Sequence, residues 1–317
     1  MSMMLKVRAQ AFAPGSVGNL GPGLDILGLA VAGAGDEVAA ERTEAGRITV
    51  RGAGHADLPT DPRRNTAALA AAEVLRRAGA RSVGLSLTVR KGLPLCGGQG
   101  GSAASAVAGA VAVNHLLGGP LDRAALLEAC VEAEAAVAGR HADNVAPSLL
   151  GGAVLIRSLH PLDVVRLPVP PELWVVLAHP DQRLRTRESR AVLPREVALD
   201  VALHQAAQVA AVVAALAAGD YALLGRALDD RVAEPARAPL LPGFDAAKRA
   251  AHAAGALGAS ISGSGPTAFA LARGEASARA VGTAMQAAYA ESGMTARIRV
   301  AEVDRSGARV VPGAGDG

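Results

Sequence analysis

The chain has 317 residues, of which half are hydrophobic, 19% are charged and 2% are aromatic, and its formal net charge is +3. The length fits two domains, and a chain this apolar can bury a large core, so a disordered chain is not expected. The scarcity of aromatic residues disfavours single-stranded nucleic acid as a partner, because its bases stack on aromatic side chains.

The two cysteines, Cys96 and Cys130, form neither a disulfide framework nor a zinc cluster. The first 16 residues contain no sustained apolar stretch, so a signal peptide is not expected. Alanine-rich runs at 103–117 and 206–218 are shorter than the roughly 20 residues that a bilayer requires. We therefore expect a cytoplasmic protein without nucleic-acid or membrane partners.

The first half of the chain alternates short strands with longer helices. Apolar alternation predicts strands at 7–12, 26–32, 36–40, 48–51, 83–89 and 153–157. Asn65 is expected to cap a helix that ends near Gly79, because its side chain can accept from the free amides of the first turn. A glycine-rich loop then opens into a long apolar helix, and Asp122 is expected to cap the next helix, which runs to about residue 138.

The second half begins after a proline-rich stretch between His160 and Pro171, which predicts a domain boundary at 165/166. We expect a polar arginine-rich segment at 181–190 and a loop at 233–244. The remaining predicted elements are strands at 173–178 and 296–302, a pair of strands around residue 264, and helices at 195–218, 221–232, about 245–255 and 276–292. The mixed order predicts a two-domain α+β fold, with domains at 1–165 and 166–310 and a flexible tail at 311–317.

Residues 94–105, PLCGGQGGSAAS, carry the strongest functional signal. Glycines permit positive φ angles and close backbone approach, and consecutive amides at the start of a helix form an anion site. Ser102 and Ser105 are placed to reach a phosphate or its metal ion. A glycine turn that only packs a buried helix is the alternative to phosphate binding.

Two other glycine-rich motifs compare poorly with this loop. No Gly-Lys-Ser/Thr sequence is present, which excludes a Walker A loop. Gly98, Gly100 and Ala103 match the dinucleotide fingerprint. However, Pro94 interrupts the preceding strand, and Asp122, about twenty residues on, has the position of a helix cap instead of a ribose ligand.

Three segments together resemble the motifs of the GHMP kinases, a family that includes galactokinase, homoserine kinase and mevalonate kinase. The glycine-rich loop is similar to P-x-G-x-G-L-G-S-S-A-A-S, residues 260–267 (SISGSGPT) to the third motif, and residues 19–28 (NLGPGLDILG) to the first. The first motif is most similar to that of the homoserine kinase branch of the family. Three further segments are also typical of this branch: HADNVAP at 141–147, T-x-x-x-R at 186–190 and E-P-x-R at 234–237. The resemblance covers nearly the whole chain.

The chain departs from the family pattern at five positions. Cys96, Gln99 and Gly101 stand where the loop usually has Gly, Leu and Ser, and Leu24 and Ala236 replace aromatic residues. A side chain at Cys96 is expected to require a negative φ there.

The resemblance implies an N-terminal domain like the second domain of ribosomal protein S5 and a ferredoxin-like C-terminal domain. It implies a kinase that uses ATP and Mg²⁺ to phosphorylate the side-chain hydroxyl of L-homoserine, with ATP between the domains. Members of this family often form homodimers.

By the same resemblance, Asp25 binds the substrate ammonium, Arg190 and Arg237 bind its carboxylate, and Asn19 orients the hydroxyl. Thr186, His141 and Gly263 complete the substrate site. The chemistry agrees, since an anion and two guanidinium groups complement a zwitterion. The implied ATP site comprises Asn144 and the whole loop: Pro94, Leu95, Cys96, Gly97, Gly98, Gln99, Gly100, Gly101, Ser102, Ala103, Ala104 and Ser105.

For Mg²⁺ the resemblance implies Ser102 and a carboxylate, which is Glu134, with Glu132 as its rival. The catalytic residues implied are Asn19 and Glu134, and no general base is assigned because Asp25 is engaged by the ammonium. Since phosphoryl transfer depends mainly on positioning and charge neutralisation, the hydroxyl proton is expected to pass directly to phosphate oxygens.

Three alternative functions compete with this interpretation. Another GHMP kinase is disfavoured, because its substrate would lack the ammonium that Asp25 complements. The others are a nicotinamide-dependent dehydrogenase that uses the fingerprint at Gly98, and a nucleotide-binding protein without catalytic activity.

Overall fold

The computed structural model describes residues 7–44, 46–53, 55–137 and 139–312. Its strands are β1 (Arg8–Gly18), β2 (Leu27–Thr43), β3 (Ile48–Ala53), β4 (Gly84–Arg90), β5 (Ala153–Leu159), β6 (Leu162–Leu167), β7 (Leu173–Pro180), β8 (Gly258–Ile261), β9 (Ala268–Arg273), β10 (Ala296–Glu302) and β11 (Arg309–Val311). Its helices are α1 (Thr66–Arg77), α2 (Gly101–Leu116), α3 (Arg123–Ala135), α4 (Val145–Leu150), α5 (Thr186–Ala191), α6 (Leu199–Ala218), α7 (Tyr221–Ala227), α8 (Ala233–Arg237), α9 (Phe244–Ala253) and α10 (Glu275–Glu291).

The first sheet has the order β11-β1-β2-β4-β3, and β5 and β6 extend it from the start of β2. The proposed boundary at 165/166 falls inside β6, which pairs with β5 in this sheet. The C-terminal β11 returns to pair with β1, so the sheet joins both ends of the chain. Of the predicted tail, Val311 ends β11, and residues 313–317 lie outside the described residues.

The second strand was predicted as two short strands and is one strand of 17 residues. Its pairing with β1 jumps between Pro14↔Gly35 and Gly15↔Val31, so residues 32–34 form a bulge. Gly33 has φ 84° there. The glycines that suggested a turn therefore lie in a bulge of one continuous strand. The extra residues of the bulge do not pair with β1, and the strand bends there.

The second sheet is antiparallel, with the order β10-β7-β9-β8. Apolar residues of α9 and α10 pack against one face of this sheet, and those of α6 and α7 pack against the other. This strand order and the helix that connects β9 to β10 are those of a ferredoxin-like domain. The prediction of a two-domain α+β fold is confirmed.

The long apolar helix α2 lies at the centre of the first domain, between β1 and β2 on one side and α1 and α3 on the other. Most of its residues are buried, as expected for a helix that is apolar all round. At Gly109 a Cβ would lie 2.8 Å from the carbonyl oxygen of Ala67, so only glycine permits this close approach. The packing fixes the N-terminal end of α2 at the boundary between the domains.

Two predicted helix caps are confirmed. The Asn65 side chain accepts from the amide of Ala68 at 3.2 Å, and Asp122 accepts from Ala125 at 2.8 Å. Asp122 is thus a structural cap, which removes the acidic residue that a dinucleotide site would need.

The segment between β7 and β8 differs from its prediction in three places. A short helix, α5, occupies the arginine-rich segment, α7 ends at Ala227 rather than near 232, and the predicted loop after it contains α8 and a 3-10 turn at Ala238–Leu240. Polar residues dominate α5, and α8 has only five residues, so no apolar periodicity indicated either helix. Within the described residues, α6 is the one helix long and apolar enough to cross a membrane by length and composition. Its buried residues are Val212, Ala215 and Leu216.

Candidate active site

A cavity of about 700 Å³ lies where the two domains meet, at the N-terminal end of α2. All seven predicted substrate residues line it, namely Asn19, Asp25, His141, Thr186, Arg190, Arg237 and Gly263. Asn144, Glu134 and most of the glycine-rich loop line the same cavity. The structure thus brings together residues that are up to 244 positions apart in the chain.

Three predicted ATP-binding residues do not line the cavity: Gln99, Ala103 and Ala104. Ala103 and Ala104 are buried in the core around α2. Gln99 is also buried, and its side-chain amide points to the second domain, where it donates to the Thr267 hydroxyl at 3.2 Å. These residues therefore support the loop from behind.

The loop exposes backbone amides to the cavity. Gly100 precedes α2 with φ 67° and no side chain caps the helix, so the first amides of α2 are available to a ligand. Together with the positive end of the helix dipole, this arrangement favours an anion.

Cys96 has φ 53°, which corrects the expectation that this residue adopts a negative φ. Left-handed backbone is strained for a residue with a Cβ, and the carbonyl of the following residue, Gly97, is held by the Thr267 hydroxyl. The Cys96 side chain is exposed and lines the cavity.

Lys91, which was not predicted as a site residue, lies directly below the loop. Its ammonium forms a buried ion pair with Asp36 and donates to the carbonyl of Gly101 at 2.8 Å and to the Ser105 hydroxyl at 3.1 Å. Ser105 in turn donates to Asp36 at 2.6 Å, and Asp36 also accepts from the amide of Gly92 at 3.1 Å. This network ties the start of α2 to the first sheet.

Ser102 and Glu134 meet at the wall of the cavity, where the serine hydroxyl donates to Glu134 Oε2 at 3.1 Å. Glu134 Oε1 is buried without a hydrogen-bond partner. Burial raises the pKa of Glu134 to about 7. Its rival Glu132 pairs with Arg140 instead and does not line the cavity.

This pair of oxygen donors fits Mg²⁺, which takes few protein ligands and completes its octahedron with water and phosphate oxygens. Among the described residues, no group of three or more His, Cys, Asp and Glu side chains could form a complete metal site. A metal ion here would therefore depend on the nucleotide.

Opposite charges meet at the other end of the cavity. Arg190 forms an ion pair with Asp25 and donates to His141 Nδ1 at 3.1 Å. Arg237 is 2% exposed and donates to the carbonyl of Gly263 at 2.9 Å. Burial, followed by the charge of Arg190, lowers the pKa of Arg237. Two guanidinium groups and one carboxylate thus share one corner.

Asn19 connects the two domains at this corner. Its side-chain Nδ2 donates to Gly263 O at 2.9 Å, and its Oδ1 accepts from the amide of Asp25 at 3.1 Å. One hydrogen and one lone pair of the amide group remain for a ligand. Asn19 has φ 68°, and its backbone N–H donates to Asp143 Oδ2 at 3.1 Å.

Asp143 was also not predicted as a site residue, although it lies within the HADN segment. It is 3% exposed and accepts a second hydrogen bond, of 3.3 Å, from Asn144. Burial, followed by the charge of Asp25, raises the pKa of Asp143 to about 7. Its position next to Asn19 was hidden because 124 residues separate the two in the chain.

Two protein-family models match this chain. The model of the GHMP kinase N-terminal domain matches residues 65–152, and that of the GHMP kinase C-terminal domain matches residues 212–291. The chain belongs to the GHMP kinase family.

Within this family, the chain is similar to homoserine kinases. It is 44% identical to homoserine kinase of Chlorobium phaeovibrioides, with 95% of this chain and 99% of the relative covered. It is 45% identical to that of Arabidopsis thaliana, with 96% and 85% covered. The crystal structure of homoserine kinase from Cytophaga hutchinsonii superposes with a TM-score of 0.93 at 40% identity, covering 98% of this chain and 99% of the other. The resemblance drawn from the motifs is confirmed.

The cysteines of this GHMP kinase should differ in reactivity. We expect iodoacetamide to modify Cys96, which is exposed, and to leave Cys130, which is buried and whose pKa is raised by burial. Because Cys96 lines the cavity, saturating Mg·ATP should slow its modification at least about tenfold. Mass spectrometry of the alkylated peptides measures both effects, and equal rates with and without Mg·ATP would contradict the placement of the nucleotide.

Two buried carboxyl groups whose pKa is raised, those of Glu134 and Asp143, should give this kinase a pH-dependent stability. Glu134 has its pKa raised from 4.5, and Asp143 from 3.8, each to about 7. At a pH between the ordinary and the raised pKa, the folded protein holds protons that the unfolded chain has released. The contribution of these protons to the free energy of unfolding is therefore complete below about pH 4 and is lost as the pH rises through 7. In urea titrations, Glu134→Gln should therefore lose less stability than the wild type between pH 5 and 7.5. If the free energy of unfolding fell equally with pH in the variant and the wild type, the raised pKa of Glu134 would be contradicted.

Proposed function

We propose that this GHMP kinase transfers the γ-phosphoryl group of ATP to the side-chain hydroxyl of L-homoserine, giving O-phospho-L-homoserine and ADP, a step of threonine biosynthesis. The observation that carries the proposal is the charged corner of Asp25, Arg190 and Arg237 in the same cavity as the glycine-rich loop. The similarity to homoserine kinases over nearly the whole chain supports it.

The charged corner complements an α-amino acid. In the free protein Arg190 pairs with Asp25. A zwitterion replaces both partners at once, since its carboxylate takes Arg190 and its ammonium takes Asp25. Arg237 then adds a second guanidinium to the carboxylate. Sugars carry neither charge, and mevalonate carries no ammonium, so both would break the ion pair without full compensation.

In the proposed mechanism the protein positions the reactants and neutralises charge. The loop amides and the start of α2 bind the phosphates, and Asn19 offers its remaining hydrogen and lone pair to the substrate hydroxyl. Asp143 holds the Asn19 backbone and the Asn144 amide in place. Asp25 is occupied by the ammonium, so the hydroxyl proton passes to a phosphate oxygen without a general base.

Ser102 and Glu134 would hold Mg²⁺, and the unpartnered Glu134 Oε1 supports this assignment. When bound, Mg²⁺ would neutralise the negative charge that develops on the phosphates. Below pH 7 the proton on Glu134 competes with the metal ion. We further propose a cytoplasmic location, which agrees with two cysteines that are both free. A homodimer remains a prediction.

The test is ADP release from ATP and Mg²⁺ with L-homoserine, compared with L-serine, L-threonine, mevalonate and galactose. Turnover confined largely to homoserine is expected. Turnover with another alcohol alone would retain the kinase and overturn the substrate. No turnover with any of these alcohols, together with binding of ATP, would favour a nucleotide-binding protein without catalytic activity.

A further inference from the structure

The back of the glycine-rich loop is fastened to the second domain by side-chain hydroxyl groups. The Thr267 hydroxyl donates to Gly97 O at 2.5 Å, and the Ser262 hydroxyl donates to Gly98 O at 2.6 Å. The next carbonyl, of Gln99, accepts from the amide of Ser16 in β1 at 3.1 Å. Three consecutive carbonyl groups of the loop are thus held by residues that do not line the cavity.

The direction of the carbonyl groups determines that of the amides. In a trans peptide the N–H of one residue points opposite to the C=O of the residue before it. The peptides that follow Gly97, Gly98 and Gln99 are trans. The N–H groups of Gly98, Gln99 and Gly100 therefore point away from Thr267, Ser262 and Ser16 respectively. Of these three loop residues, Gly98 and Gly100 line the cavity.

Thr267 is the centre of a buried junction, which we define as Thr267, Gln99 and His179. Gln99 Nε2 lies 3.2 Å and His179 Nδ1 lies 3.0 Å from Thr267 Oγ1. Thr267 is fully buried and Gln99 is 6% exposed. The hydroxyl has one proton, which goes to Gly97 O, so it accepts from both neighbours. His179 must then carry its hydrogen on Nδ1.

The junction includes one of the residues at which this chain departs from the family pattern. Gln99 stands where the similar loops have Leu, and a leucine side chain would donate nothing to Thr267. The charge state of His179 does not break the junction, because Nδ1 donates in both the neutral and the protonated ring. Burial, followed by the charge of Arg297, lowers the pKa of His179.

We propose that Thr267 and Gln99 are positioning residues for the nucleotide: their junction orients the loop amides across the domain boundary and thereby sets the affinity for ATP. The proposal rests on the proposed function, because it assigns the loop to the nucleotide phosphates. It predicts that the two substrates respond differently to the junction, since the homoserine corner has its own hydrogen bonds through Asn19 and Gly263.

The experiment measures the dissociation constant of Mg·ADP by calorimetry and the KM values for ATP and homoserine. Thr267→Val, which keeps the shape but removes the hydroxyl, should weaken Mg·ADP about tenfold and leave KM for homoserine within about twofold. Gln99→Leu removes one donor and should weaken Mg·ADP about threefold. Thr267→Ser restores the hydroxyl and should bind within about twofold of the wild type.

Thr49→Val is the matched control, because Thr49 lies in β3 and donates to Leu85 O at 3.4 Å, outside the cavity. It should leave both KM values unchanged. A structural role alone would lower the melting temperature without changing Mg·ADP binding by the folded protein, and this result for Thr267→Val and Gln99→Leu would overturn the proposal. If Thr267→Val does not fold, unchanged binding by Gln99→Leu overturns it.

The two proposals can fail separately. A wild type that binds Mg·ADP but does not phosphorylate homoserine would contradict the substrate, while the variants would still test the junction through ADP binding. Normal turnover with homoserine and unchanged Mg·ADP binding in the variants would contradict the junction alone.

Discussion

Asp25→Asn is expected to raise KM for homoserine about a hundredfold, because the ammonium loses a charged partner worth about 3 kcal/mol. The turnover number should fall much less, since the substituted side chain still has an oxygen acceptor and the phosphate site is unchanged. Steady-state kinetics at saturating Mg·ATP separates the two constants. If Asp25 were a general base, kcat would collapse while KM stayed nearly constant, which would contradict the proposed mechanism.

The ion pair between Asp25 and Arg190 gives a second, sharper expectation. The alcohol 4-hydroxybutyrate is homoserine without its ammonium, so in the wild type it must break this pair and leave Asp25 uncompensated. In Asp25→Asn it has no pair to break and should bind more tightly than to the wild type. Asp57→Asn is the matched control, since Asp57 also lines the cavity but pairs with the exposed Arg183. This control should leave both ligands unaffected.

The sequence predicted what depends on local chemistry. The caps at Asn65 and Asp122 and the loop at the start of α2 follow from side chains that act within three or four residues. Most of the predicted site residues share one cavity, because the motif resemblance supplied contacts over the whole chain.

What the sequence did not predict depends on contacts between distant residues. Asp36 and Lys91 are 55 positions apart, and nothing near either residue indicates the other. Cys96 has a positive φ although it carries a Cβ, so a rule based on its Cβ alone gave the wrong sign. For Gln99, the motif assigned a place in the ATP site, but the backbone turns the side chain to Thr267.

The buried ion pair below the loop gives the second large effect, on stability. Lys91→Met should lower the free energy of unfolding by about 3–5 kcal/mol, because it leaves the charge of Asp36 buried without its partner. Adding Asp36→Asn should recover much of this loss, since the neutral side chain can still accept from the amide of Gly92. Denaturant titration with circular dichroism measures both values.

Lys248→Met is the matched control for this prediction, because Lys248 forms a partly exposed ion pair with Glu234. Its loss should cost at most about 1 kcal/mol, as is usual where water still reaches both charges. Equal losses for the two lysines would contradict the view that burial makes the first pair indispensable. Since Lys91 also holds Gly101 O and Ser105 in place, the folded fraction of Lys91→Met should bind Mg·ADP more weakly than the wild type. The start of α2 would then be positioned from the first sheet by Lys91 as well as from the second domain by Thr267.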